Sequence, residues 1–250
     1  IKKKYYFIGR IDNKFDAVVL ACGSKNPRDL GIAGRELKGI YYAMDFLTQQ
    51  NRKNQGIKTE NEIIDAGGKK VLVIGGGDTG ADCVGTSVRQ GAEKITQIEI
   101  MDKPPVYRGE TNPWPQYPLV LKISTSHKEA EGKYGNDPRE WNILTKEFLN
   151  DGNGNVSGLK AAKAESFTDE NGRLGFREIE GTEFIIEADI VFLAIGFTHP
   201  VHDGLINNLG IGLDQRGNVK ADESDYKTSI NKYFAAGDVR RGQSLVVWAI

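Results

Sequence analysis

The stretch from Lys70 to Val84 constrains this chain more than any other. A run of β-branched and aliphatic residues, Val71-Leu72-Val73-Ile74, stops at a glycine cluster. Apolar side chains then recur at Ala81, Val84 and Val88, a helical spacing. The pattern reads as strand, tight turn, helix. Gly75, Gly77 and Gly80 stand in the order G-x-G-x-x-G. In a dinucleotide site the first glycine makes the turn and the second lets the backbone reach a pyrophosphate. The third lets helix and strand pack closely. The helix N-terminus would add unpaired N–H groups and the positive end of its dipole. A merely structural glycine turn is the alternative, and the flanking strand and helix favour the phosphate site.

A second strand, Ile95 to Met101, completes a β-α-β unit of about 30 residues, the size such a half-site needs. Glu99 falls near its end, 19 positions beyond Gly80. A carboxylate there accepts hydrogen bonds from the adenosine ribose of NAD and repels the extra 2′-phosphate of NADP. Ile100 and Met101 follow instead of arginines, so no phosphate clamp is evident. NADH is therefore expected, with NADPH as the alternative. An ordinary exposed strand carboxylate is the other reading of Glu99, and Asp102 is the reserve candidate for the ribose.

Several function classes are excluded. The formal net charge is −1, and no basic block stands out beyond Lys2-Lys3-Lys4, so a nucleic-acid surface is not indicated. No apolar run approaches the roughly 20 residues that span a bilayer. The N-terminus does not read as a signal peptide. Cys22 and Cys83 are far apart and make no C-x-x-C pair, and His127, His199 and His202 form no ligand pattern. No metal site is expected, and a cytoplasmic setting is the simple reading. The abrupt ends, at Ile1 and in Ser244 to Ile250, which reads as the start of a cut buried helix, read as those of a fragment.

The rest of the chain alternates buried strands with polar connections. Tyr5–Ile8 and Ile11 read as short extended runs. Phe15 to Gly23 is a continuous apolar run closed by glycine, as in a buried parallel strand with a ligand-side loop. Ile40, Ala43, Met44 and Leu47 make a helical face. Lys53 to Gly68 is polar and reads as a linker carrying little core. Five prolines between residues 102 and 118 exclude regular structure there. Trp114 and Tyr117 in that stretch either cover a nicotinamide or pack the loop, and packing is favoured. Turns at Asp151–Asn155 and Asp169–Gly172 predict an antiparallel meander of three strands. Asp189 to Gly196 and Lys232 to Asp238 read as further apolar strands.

These pieces resemble the flavoproteins with two dinucleotide-binding domains, the family of thioredoxin reductase and glutathione reductase. The resemblance rests on Val18 to Gly23, Gly75 to Gly80, Ala194-Ile195-Gly196 and Phe234 to Asp238. Other segments are similar to the glutamate synthase small (β) subunit family and its fused NADH-type form. They are Lys25 to Leu30, Gly34 to Gly39, Gly75 to Cys83, Asn112 to Pro118, Leu144 to Phe148 and Gly237 to Ile250. The resemblance implies an α/β fold of two Rossmann-like domains, an NAD(P)H domain with its meander inserted into a truncated FAD domain. The boundaries implied are 1–50 and 201–250 for the flavin part, 51–68 for a linker and 69–200 for the NAD(P)H domain. It implies a coenzyme site at Gly75, Gly76, Gly77, Asp78, Thr79, Gly80, Glu99, Ile100, Ala194, Ile195 and Gly196. An incomplete FAD site is implied at Gly23, Gly237, Asp238, Gln243, Ser244 and Leu245. The implied reaction is hydride transfer from NADH to FAD, which needs no acid–base side chain, so no catalytic residue is named. The implied partners are an iron–sulfur N-terminal segment outside the chain and the large (α) subunit, or its fused equivalent, which makes glutamate from glutamine and 2-oxoglutarate. Rival readings are a module of the ferredoxin–NADP reductase or dihydropyrimidine dehydrogenase kind, and a nucleotide-binding module without catalysis.

Overall fold

The computed structural model describes residues 13–57, 63–110 and 112–249. The runs expected at Tyr5–Ile8 and Ile11 lie outside the described residues. The chain divides into two compact units. One takes the described parts of Ile1–Arg28 and Gly196–Ile250, and the other is the continuous segment Asp29–Ile195.

In the first unit, β1 is Val18–Leu20. The elements of the second unit follow in sequence. A strand and helix, β2 (Ile40–Tyr42) and α1 (Ala43–Asn54), precede the glycine-turn pair β3 (Lys70–Ile74) and α2 (Asp78–Gln90). Next come β4 (Lys94–Ile98), α3 (Thr125–Tyr134) and the two-residue β5 (Arg139–Glu140). The strands β6 (Ile143–Asn150), β7 (Val156–Thr168), β8 (Leu174–Glu178) and β9 (Phe184–Glu187) form an antiparallel sheet. β10 (Ile190–Leu193) closes the unit. Its five-stranded sheet runs β2-β10-β3-β4-β5, with every pairing parallel.

The two faces of this sheet explain its apolar runs. Val71, Val73, Ile190 and Phe192 point to the helical layer, against Phe46 of α1, Val84 of α2 and Ala130 of α3. The alternate residues Leu72, Ile74, Val191 and Leu193 point to the antiparallel sheet, against Ile143, Phe148, Leu159 and Ile186. A strand covered on both faces is apolar throughout instead of alternating. Phe46 and Phe192 stack with ring centroids 4.0 Å apart.

Three expectations change. The meander has a fourth strand, because the 13-residue β7 is long enough to pair with β6 along one edge and with β8 and β9 along the other. Residues 29–50, set with the flavin domain by sequence, belong to the second unit, because β2 pairs with β10 and α1 buries Phe46 on the same sheet. The described parts of 51–68, read as a linker carrying little core, add to the helical layer. α1 extends to Asn54, and Ile64 and Ala66 are buried in the helix-side core, with the Ile64 backbone bonded to the Gln49 side chain through both its N–H and its carbonyl.

The first unit returns with β11 (Tyr233–Ala235), which pairs parallel with β1, then the short helices α4 (Asp238–Arg241) and α5 (Val246–Ala249). Leu20, Ile206, Val219, Tyr233 and Val239 form its own core.

Candidate functional site

The fold itself requires two of the three glycines of the turn, Gly75 and Gly80, each for its own reason. Gly75 leaves β3 at φ +119°, and a methyl group on it would lie 2.3 Å from the Ala194 carbonyl oxygen. Only glycine is at ease with that dihedral and that contact. The contact also brings Ala194, just beyond β10, against the turn. At Gly80 a methyl group would lie 2.3 Å from the Gly75 carbonyl oxygen, so α2 packs on β3 at backbone distance. Gly77 is unlike both. Its φ is −77°, which any residue adopts, and a methyl group on it would meet nothing within 4 Å.

Gly77 is the N-cap of α2, and no side chain caps that end. A helix start leaves its first N–H groups without intrahelical partners. Here they open onto free space beside Gly77, at the positive end of the dipole. Asp78 and Thr79 begin the helix, which closes at Gly91 with the left-handed C-cap expected of glycine.

Glu99 lies one residue past β4, and its carboxylate is already held. Oε2 accepts the Gly76 N–H at 2.6 Å, while Oε1 accepts those of Ile100 at 2.8 Å and Met101 at 3.2 Å. Ile100 thus enters the site through its backbone. Glu99, Gly76 and Gly77 line a cavity of about 530 Å³ together with Lys103, Lys122 and Trp141. Asp102 also reaches this cavity, but its oxygens accept hydrogen bonds from Ser166 and Asn142, which hold its pKa below the usual carboxylate range.

The positive charge at this cavity was not visible from spacing. Lys103 comes from the proline-rich segment, and Lys122 lies four residues beyond its last proline. Lys122 Nζ bonds the Tyr117 hydroxyl and sits 4.4 Å from the centre of that ring. The absence of arginines at 100 and 101 therefore does not leave the pocket without cations. Tyr117 lines the cavity, whereas Trp114 is 82% exposed, so the packing expected of Trp114 is not found. Pro113 and Pro115 flank Trp114 and keep the segment irregular.

The first unit gathers the other expected residues. Gly23 follows β1, and the next residue, Ser24, donates its hydroxyl to the Asp238 carbonyl at 2.9 Å. Gly237 ends the β11 segment, and Asp238 begins α4 with Oδ1 accepting the Ser244 hydroxyl at 2.9 Å. Gln243 Oε1 accepts the Phe197 N–H at 2.7 Å and lies where a side chain on Gly196 would fall. Leu245 is exposed just before α5. Gln243, Ser244 and Leu245 border a second cavity, of about 560 Å³, with Arg216, Lys220 and Arg240 on its wall. Ala194 and Ile195 fall in the second unit, and Gly196 in the first.

The family model described as pyridine nucleotide-disulphide oxidoreductase matches residues 6–114 and 143–250. This chain belongs to that family. The gap in the match, 115–142, covers part of the proline-rich segment, α3 and β5. Among curated relatives, "Glutamate synthase [NADPH] small chain" of Mycobacterium tuberculosis is 46% identical over 240 residues, 94% of this chain and 46% of that protein. "Glutamate synthase [NADH]" of Schizosaccharomyces pombe is 45% identical over 238 residues, 94% of this chain and 11% of that protein. The chain thus spans about half the length of the one and about a tenth of the other. Among solved structures, Mycobacterium tuberculosis FprA in complex with NADPH superimposes with a TM-score of 0.65 at 16% identity, covering 96% of this chain and 61% of that one. At that identity the likeness shows a shared fold and no more.

Proposed function

We propose that the chain is the electron-input module of a glutamate synthase, binding a reduced nicotinamide coenzyme in the second unit and FAD through the first. The observation that carries the coenzyme reading is Gly77. Neither its dihedral nor its surroundings demand glycine, so its bare backbone serves a ligand that must approach the helix start closely. The residues fit a pyrophosphate: open N–H groups, no capping side chain, and a wide cavity beginning at Gly76 and Gly77.

When bound, the nicotinamide supplies a hydride and the flavin accepts it. The protein's part is to hold and orient. Gly75 to Gly80, with Asp78 and Thr79 at the helix start, hold the pyrophosphate. Glu99 turns its remaining acceptor capacity to the adenosine ribose, with Ile100 fixing the carboxylate from behind, while Ala194 and Ile195 border the turn from β10. Gly23, Gly196, Gly237, Asp238, Gln243, Ser244 and Leu245 hold part of the flavin. NADH is the expected coenzyme on the strength of Glu99. NADPH is the alternative that Lys103 and Lys122 favour, and the relatives carry both names. The electrons then pass through an iron–sulfur segment to a large subunit or fused equivalent, in the cytoplasm. Among the described residues no helix is long and apolar enough to cross a membrane.

The test is an anaerobic titration of the full-length protein. A flavin spectrum that bleaches stoichiometrically with NADH or NADPH supports the proposal. A colourless protein, or a flavin that neither coenzyme reduces, overturns it and leaves a nucleotide-binding module without catalysis.

A further inference from the structure

Gln97 is an amide in the buried strand β4, with 1% of its surface exposed. A buried amide is costly unless its hydrogen bonds are made, so their destinations matter. Nε2 reaches the Gly75 carbonyl oxygen at 2.8 Å, and Oε1 lies 2.9 Å from His127 Nε2. The Gly75 carbonyl can only accept, so Gln97 faces it with its N–H. Its oxygen then faces His127, whose Nε2 must carry the proton. His127 Nδ1 is left as an acceptor for the Ser124 N–H, 3.3 Å away, where Ser124 and His127 cap α3 reciprocally. Each bonding atom of this chain has one role, so its direction is fixed: His127 donates to Gln97, and Gln97 donates to Gly75.

Packing holds the chain in place. A side chain on Gly80 would meet Gln97 Nε2 at 2.6 Å as well as the Gly75 carbonyl, so turn, helix and amide form one tight knot. A side chain on Gly85 would meet Ser126 at 2.4 Å, so α3 lies against α2 at the distance that sets His127 over Gln97. None of the side-chain bonds serves the sheet itself. They end on the carbonyl whose peptide unit begins the turn.

We propose that Gln97, braced by His127, is a positioning residue for the coenzyme pyrophosphate. By fixing the Gly75 carbonyl it sets the direction in which the turn presents the N–H groups beyond it. The inference rests on the reading of the turn as the coenzyme site.

The experiment uses the full-length protein with Gln97→Met, which keeps length and removes the donor, and His127→Asn, which leaves Gln97 unbraced. Binding of ADP and of adenosine is measured beside KM and kcat. Gln97→Met is expected to weaken ADP binding and raise the coenzyme KM about tenfold, the scale of one buried hydrogen bond. Adenosine binding and kcat at saturation should stay within about twofold, because only the phosphate-holding turn is disturbed. His127→Asn should act in the same direction by about threefold, and it carries the test if Gln97→Met does not fold. ADP affinity unchanged in the variants, or ADP and adenosine weakened equally, would overturn the positioning role. If the wild-type protein bound no ADP, the coenzyme reading would fall first and this inference with it.

Discussion

Gly76 donates its N–H to Glu99 Oε2 at 2.6 Å, so the carboxylate proposed to hold a ribose also braces the turn proposed to hold the phosphate. The two roles separate in Glu99→Ala. Loss of the turn contact should weaken both coenzymes, while loss of the negative charge should favour the one with the 2′-phosphate. The ratio of kcat/KM for NADH to that for NADPH is expected to fall about tenfold, or about 1.4 kcal/mol. An equal loss for both would confine Glu99 to bracing the turn.

The stacked pair Phe46 and Phe192 ties α1 to the sheet of the second unit. Both rings are fully buried. Phe46→Ala should destabilise that unit by about 3–5 kcal/mol, read as a shift in the urea midpoint. A change below about 1 kcal/mol would place residues 29–50 outside this core.

His127 couples stability to pH. Burial first, and then Arg139, lower its pKa below the ordinary 6.5, with Asp137 opposing weakly. The unfolded chain therefore binds a proton where the folded protein does not, and stability rises with pH across that interval. The contribution is complete above about pH 6.5 and is lost as the pH falls towards the lowered folded value. Urea midpoints followed from about pH 8 to about pH 5 should drop more steeply for wild type than for His127→Asn. Equal slopes would contradict this assignment.

Cys83 is buried in the helix-side core, and burial pushes its thiol pKa up, so it carries almost no thiolate at neutral pH. Cys22 is exposed. Alkylation followed by peptide mass mapping should label Cys22 in the folded protein and Cys83 only after denaturation. Early labelling of Cys83 would mean that α2 opens readily from the sheet.

How much of this was legible from the chain follows from the length of each signal. Lys70 to Val84 carries strand, turn and helix in one stretch, and Gly75 and Gly80 make the turn and the close helix–strand packing that their spacing implies. β2 and β5 have three and two residues, too short for a pattern, so their places in the sheet had to come from pairing with β10 and β4. α3 gives little sequence signal because Thr125–Tyr134 is polar or charged along most of its length and buries only Ser126, His127 and Ala130. Gln97 and His127 lie 30 residues apart, and nothing in either segment signals the other. Gln97 does stand out as a buried-strand amide between Ile95 and Ile98, which is the one trace that sequence alone offers.

Gly77→Ala puts the coenzyme reading to the most direct trial. The added methyl group meets no atom of the protein, and the dihedral suits alanine, so the thermal midpoint should match that of wild type. The same methyl group occupies the approach to the helix start, so NADH and NADPH affinity should fall by about a hundredfold or more, as for a steric block at a close backbone contact. A folded Gly77→Ala protein that bound both coenzymes as tightly as wild type would contradict the assignment of this turn as the coenzyme site.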